Sequence, residues 1–118
     1  SGELLPGTTW PQILAATFPP GSVTGAPKTA ALEIINALEA GPRGPYCGAF
    51  GWLDADRGTA ELAVAIRTFW REAGPLGPQL AFGTGAGITW DSDPQAEWRE
   101  TQLKSSRLLE VAGSGEVP

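Results

Sequence analysis

The stretch Gly83-Thr84-Gly85-Ala86-Gly87-Ile88, running into Asp91-Ser92-Asp93-Pro94-Gln95-Ala96-Glu97-Trp98-Arg99-Glu100-Thr101-Gln102-Leu103-Lys104, sets the reading of this chain. A glycine-rich turn here ends an expected strand and leads into a strongly capped helix. Asp91, Ser92 or Asp93 supplies the N-cap, Pro94 suits N1, and Glu97 is available for a capping interaction. The helix is expected to reach about Val111. At about 100° per residue, Glu97, Glu100, Lys104 and Leu108 share one stripe. That stripe has two readings. Acidic residues early in a helix and a Glu100–Lys104 pair at i, i+4 describe an ordinary solvated face. Two carboxylates one turn apart also suit Mg²⁺, which takes oxygen ligands and keeps several waters. With backbone donors before the helix, the stretch then reads as half of a site holding an anionic small molecule through a divalent cation.

Upstream, Thr8-Thr9-Trp10-Pro11-Gln12-Ile13-Leu14-Ala15-Ala16 predicts a short helix with a Thr N-cap, ended by Phe18-Pro19-Pro20-Gly21. Gly21-Ser22-Val23-Thr24-Gly25-Ala26-Pro27-Lys28 is a small-residue loop feeding a second helix. Ala30, Ala31, Ile34, Ile35 and Leu38 recur there at helical spacing through Glu39, and Gly41-Pro42 stops it. The loop reads either as an anion site at a helix N-terminus or as a tight junction that needs small residues for packing. Pro45 to Leu53 predicts a strand with glycines where something approaches closely. Asp54 to Gly58 predicts a hairpin turn, and Thr59 to Thr68 a return strand. In that strand Leu62, Val64 and Ile66 face the core, and Glu61, Ala63, Ala65 and Arg67 face the other way. Arg67 reads as a cation suited to a carboxylate, or as an ordinary surface arginine at a strand end. Phe69 to Glu72 extends the strand, Gly74 to Pro78 turns the chain, and Gln79 to Phe82 returns. The expected class is therefore α/β, α+β in arrangement: an antiparallel meander packed with helices. The tail from Gly113 to Pro118 reads as loose.

Composition narrows the chemistry. At 118 residues the chain is one small domain or part of a larger one, and 42% hydrophobic content is ample for a core. The 16 Gly and 11 Pro punctuate periodic segments and form no tract, so a folded chain with many turns is expected. The net charge of −5 opposes a nucleic-acid footprint. No run of about 18 apolar residues predicts a membrane span. Absence of His excludes a Ser-His-Asp triad, a His-based zinc site and imidazole catalysis from these residues. The lone Cys47 excludes an internal disulfide framework and suits a reducing cytoplasm. The chain opens on Ser1-Gly2 without Met, which reads as an internal starting point.

Five segments in order carry a resemblance: Pro20 to Lys28, Arg43 to Gly48, Ala65-Ile66-Arg67-Thr68, Gly85-Ala86-Gly87-Ile88, and Asp91 to Pro94 with Glu97, Glu100 and Lys104. Over roughly residues 12 to 111 they resemble the C-terminal part of the chorismate-utilising enzymes. That family includes anthranilate synthase component I, aminodeoxychorismate synthase component I, isochorismate synthase and salicylate synthase. The resemblance implies a portion of the two-sheet chorismate-binding fold and Mg²⁺-dependent chemistry on chorismate. It places Glu97 and Glu100 among the metal-binding acids and Lys104 as a catalytic residue of the same pocket. It further implies that Tyr46 and Arg67 hold a substrate carboxylate, that amides around Gly85 and Gly87 help bind it, and that Ser22 supplies the loop hydroxyl where many members have Thr.

Gly-Ser-Val-Thr-Gly-Ala-Pro-Lys is most similar to aminodeoxychorismate synthase, which implies amination of chorismate for p-aminobenzoate and folate synthesis. Ammonia would come from a glutamine amidotransferase partner. The alternatives are anthranilate synthase component I and a non-catalytic binding module derived from the fold. The resemblance further implies an upstream half with more metal-binding acids, a histidine and, in aminodeoxychorismate synthases, a nucleophilic lysine. These 118 residues alone are accordingly expected to be inactive, with uncovered apolar sheet surface favouring self-association.

Overall fold

A computed structural model describes residues 3–114; Ser1-Gly2 and the tail residues 115–118 lie outside the described residues. The order of elements is α1 (Trp10–Thr17), α2 (Gly21–Thr24), α3 (Lys28–Leu38), β1 (Ala49–Asp54), β2 (Thr59–Val64), β3 (Phe69–Gly74), β4 (Gly77–Phe82) and α4 (Pro94–Ser114). The chain forms two compact units, 1–64 and 65–118. The α/β class is as expected. The strands, however, pair as two separate antiparallel hairpins, β1 with β2 and β3 with β4, and not as one continuous meander.

In the first unit, α1 starts where Gln12 Oε1 accepts the Thr9 backbone N–H at 2.8 Å and the Thr9 hydroxyl at 3.0 Å. Both ends of this interaction lie within one turn, so the helix start is encoded locally. At the other end, Lys28 Nζ donates to the Ala16 carbonyl at 3.1 Å, satisfying an acceptor that the helix leaves open. Pro27 is the N-cap of α3, one position earlier than the expected N1. Of the expected apolar stripe on α3, Ala31 and Ile35 are half-buried, whereas Ile34 and Leu38 are exposed.

The first hairpin pairs Ala49 with Val64 through to Asp54 with Thr59. Asp54 Oδ1 accepts the N–H groups of Asp56 (3.1 Å) and Arg57 (3.0 Å), an Asx-type turn that explains the 54–58 connection. Gly51 has φ 155°, and a Cβ there would overlap the Glu61 carbonyl across the hairpin. The close approach expected of a strand glycine is therefore to its own partner strand. The expected strand from Pro45 starts only at Ala49. Gly44 (φ 59°) and Cys47 (φ 69°) occupy the left-handed region, and Tyr46 N–H and Gly48 N–H bond back to Arg43 and Pro45 carbonyls, so residues 44–48 are consecutive turns.

The second strand also ends earlier than its alternation predicts. It stops at Val64, and Arg67 takes φ 52°, which no extended strand accommodates. Ile66 consequently departs from the Leu62–Val64 face and is 43% exposed, while Ala65 is buried. In the second unit Phe69 pairs with Phe82, with ring centroids 4.6 Å apart, at the open end of the β3–β4 hairpin. Pro78 is tolerated in β4 because a two-stranded sheet has only edge strands.

Asp93 Oδ1 accepts the Ala96 N–H at 2.8 Å and Asp93 carbonyl accepts Glu97 N–H at 3.0 Å, so Asp93 is the N-cap of α4. The helix continues to Ser114, beyond the expected end near Val111 and through Gly113, which had been expected to open the loose tail.

Two compact globules of half this mass would together expose about 7,400 Å². The chain exposes 9515 Å², and only Cys47 and Ala65 form its buried apolar core among the described residues. Trp90, Ile88, Leu103 and Trp98 are all at least 60% exposed. Much apolar surface is thus left uncovered. None of the helices is long and apolar enough to cross a membrane among the described residues.

Candidate functional site

In the first unit, the chemistry gathers around the turn that follows α3. Arg43 Nε donates to both Glu39 carboxylate oxygens (3.1 and 3.0 Å) and Nη2 to Oε1 at 2.6 Å. Its Nη1 donates to the Val23 carbonyl at 3.2 Å and to Cys47 Sγ at 3.5 Å. The guanidinium also lies 5.7 Å from the Tyr46 ring centroid, within cation–π range. One half-buried side chain thereby ties the end of α3, the small-residue segment of α2 and the 44–47 turn together. The hydrogen bond to Arg43 holds the Glu39 carboxyl below its ordinary value, and the same bond raises Arg43. Burial, followed by the neighbouring Cys47 thiol, pushes the Tyr46 phenol up, which keeps it protonated and able to donate.

Arg43 and Tyr46, with Thr24, Leu32, Ile35 and Cys47, line an open hollow of about 670 Å³. Ser22 is exposed on α2, whereas Thr24 directs its hydroxyl to the Pro20 carbonyl at 3.0 Å. Of the two hydroxyls in this segment, Ser22 is the one with no bond to the described residues. Arg43 opens the Arg43–Gly48 motif, and its bridging role depends on contacts that no local pattern in the sequence carries. The i, i+4 spacing of Glu39 and Arg43 was a readable signal for one of its contacts.

In the second unit, Arg67 is exposed in the left-handed backbone that follows β2, not at the end of a strand. Gly85 and Gly87 lie in the irregular segment between β4 and α4, and both are exposed. Their N–H groups donate to no carbonyl among the described residues. A Cβ on Gly87 would meet nothing within 4 Å, so no neighbour in this chain requires glycine there. Unpaired exposed amides next to open space are available to an incoming acceptor.

Just before α4, Ser92 Oγ accepts the Thr89 N–H at 3.0 Å and donates to Glu97 Oε1 on the helix at 2.7 Å. Glu97 is half-buried. Lys104 Nζ lies 2.6 Å from Glu100 Oε1, with side chains 35% and 51% exposed. The expected i, i+4 pair has thus formed, and it is the feature that the solvated-face reading shares with the site reading. Among the described residues no group of three or more His, Cys, Asp or Glu is placed to hold a metal ion. Two glutamates on successive turns suit a largely hydrated Mg²⁺ that completes its shell from a ligand; they do not make a closed cage.

Residues 1–110 match the family described as chorismate binding enzyme. The chain belongs to that family. Anthranilate synthase component 1 of Synechocystis is 48% identical over 111 residues, 93% of this chain and 22% of that protein. Anthranilate synthase component 1 of Saccharolobus solfataricus is 46% identical over 101 residues, 86% of this chain and 23% of that protein. The Haloferax volcanii protein of the same name is 46% identical over 96 residues, 81% and 18% of the two chains. The chain spans about a fifth of the length of these curated relatives. None of the three is named as an aminodeoxychorismate synthase, so the comparisons favour the alternative reading over the one drawn from Gly21 to Lys28.

Proposed function

We propose that this chorismate-binding chain is part of an anthranilate synthase of the component I type, acting on chorismate with Mg²⁺ and with ammonia from a glutamine amidotransferase partner. The observation that carries the reading is the match of residues 1–110 to the chorismate-binding family, together with relatives named anthranilate synthase component 1 at 46 to 48% identity. In that reaction ammonia adds at C2 of chorismate as the C4 hydroxyl leaves as water, and pyruvate is then eliminated from C3 to give the aromatic ring.

The local chemistry supports roles for the individual residues. In the first unit, a Tyr46 phenol that stays protonated and a free Ser22 hydroxyl are donors suited to a substrate carboxylate. In the second unit, Arg67 and the unpaired Gly85 and Gly87 amides offer the donor geometry that carboxylates take. Glu97 and Glu100 would hold Mg²⁺, which supplies charge neutralisation at a carboxylate of the substrate. Ser92 orients Glu97, as an outer hydrogen bond orients a ligating carboxylate. Lys104 places its Nζ beside the Glu100 carboxylate. The uncovered apolar surface supports a reading in which further protein packs on this chain.

The test is product analysis on the intact protein with chorismate, ammonium and Mg²⁺. Fluorescent anthranilate with release of pyruvate is expected. A product that becomes p-aminobenzoate only after addition of a lyase would restore the aminodeoxychorismate reading. Mg²⁺-dependent chorismate binding without turnover would make the protein a binding module.

A further inference from the structure

The Arg43 cluster contains more than a stabilising ion pair requires. The guanidinium is neutralised by its own Glu39, so it is poorly suited to be a second anion-binding cation. Its remaining contacts all converge on the Tyr46 turn or on the segment bearing Ser22. Nη1 reaches the Val23 carbonyl, the residue next to Ser22, and Cys47 Sγ, the residue next to Tyr46. The Arg43 carbonyl accepts the Tyr46 N–H at 3.2 Å, and the guanidinium lies by the Tyr46 ring. The turn holds one non-glycine residue, Cys47, in the left-handed region at φ 69°, and the Arg43 contact to its Sγ falls at that residue.

We infer that Arg43 is a positioning residue for Tyr46: anchored by Glu39 and Val23, it fixes the phenol ring where its hydroxyl meets a substrate carboxylate. This rests on the proposed role of Tyr46 toward chorismate. A lysine in its place keeps the charge but has no planar fork with which to reach Glu39, Val23 and Cys47 together.

The test is a double-mutant cycle on KM in the intact protein, with chorismate, ammonium and Mg²⁺. Arg43→Lys is expected to raise KM for chorismate about tenfold with kcat within about threefold, and Tyr46→Phe to raise KM on its own. In the Arg43→Lys/Tyr46→Phe double variant, KM should equal that of Tyr46→Phe within about twofold, because no hydroxyl is left to position. A purely structural Arg43 would lower the active fraction, and hence apparent kcat, while leaving KM unchanged. An Arg43 that contacts substrate directly would give the full KM increase again in the Tyr46→Phe background. Either result overturns the inference. Should Arg43→Lys fail to fold by circular dichroism, Glu39→Gln replaces it in the same cycle, with a KM increase of about threefold that likewise vanishes without the Tyr46 hydroxyl. Failure of the unmutated protein to convert or bind chorismate overturns the functional reading itself, and is seen before any variant is made.

Discussion

The turn around Arg43 and the first turns of α4 carry residues with related proposed roles, yet they are built in opposite ways. At the turn, one guanidinium reaches a carboxylate four residues back, a carbonyl twenty residues back and a thiol four residues ahead, and its side chain is only 24% exposed. On α4, Ser92 with Glu97 and Glu100 with Lys104 are contacts within five residues of sequence, and the Glu100 side chain is 51% exposed. The groups of the turn are committed to one another, so losing one disturbs the rest. On the helix the Glu100 carboxylate is exposed and Glu97 is half-buried, held only by its neighbour Ser92, so a cation or ligand reaches them without dismantling the fold. A rigid support and an open set of ligands are different demands, and the two regions divide them.

That contrast can be broken most directly on the helix. Glu97→Gln combined with Glu100→Gln should weaken Mg²⁺-dependent chorismate binding by the intact protein about a hundredfold or more in calorimetry. Unfolding free energy should meanwhile change by no more than about 0.5 kcal/mol. Unchanged binding would return the stripe to a plain solvated face. At the turn the order of effects should reverse: Arg43→Ala is expected to cost about 1–3 kcal/mol of stability in urea unfolding, because it strands several acceptors at once. Asp93→Ala, which removes the N-cap bond of α4, should cost about 1 kcal/mol by the same measurement. Lys104→Ala breaks only an exposed i, i+4 pair and should cost about 0.3–0.5 kcal/mol. A loss at Lys104 as large as that at Arg43 would erase the distinction.

The smallest expected effect concerns pH. The Arg43 hydrogen bond lowers the Glu39 pKa in the folded state, so Glu39 contributes stability that is complete above its unfolded value near 4.5 and is lost as pH falls through the lowered folded value. Glu39→Gln should therefore flatten part of the acid-side decline of Tm between about pH 3 and 5. Glu72, held low by Gln79 and then Trp70, supplies its own acid-side contribution in both proteins. An unaltered profile would show that the Glu39–Arg43 pair adds nothing in solution.

Features decided within about one helical turn were legible in the residues. A Thr N-cap before Pro11 announced the start of α1, Asp54 to Gly58 announced a hairpin, and Asp93-Pro94 announced α4. The Glu100–Lys104 pair followed from its spacing. The ordered motifs were sufficient to identify the family, but the reading of the Gly21–Lys28 loop pointed to a different member from the one that the similar relatives favour. What happened at strand ends was not legible. Alternation from Thr59 to Thr68 continued past Val64 in sequence, while the backbone left the strand after Val64 and turned into the left-handed region at Arg67.

By itself, then, the sequence determined α1, α3 and α4, the N-caps of α1 and α4, the 54–58 turn and the family, because each rests on groups that are neighbours along the chain or on motifs that occur in order; Gly21 to Thr24, expected as loop, forms α2 instead. Only the tertiary structure decided that the strands form two hairpins, that Pro45 to Gly48 is a turn and that Arg43 bridges Glu39, Val23 and Cys47. The reason is physical: a guanidinium finds a carbonyl twenty residues away only after the intervening helix has folded back, and no local periodicity records that meeting.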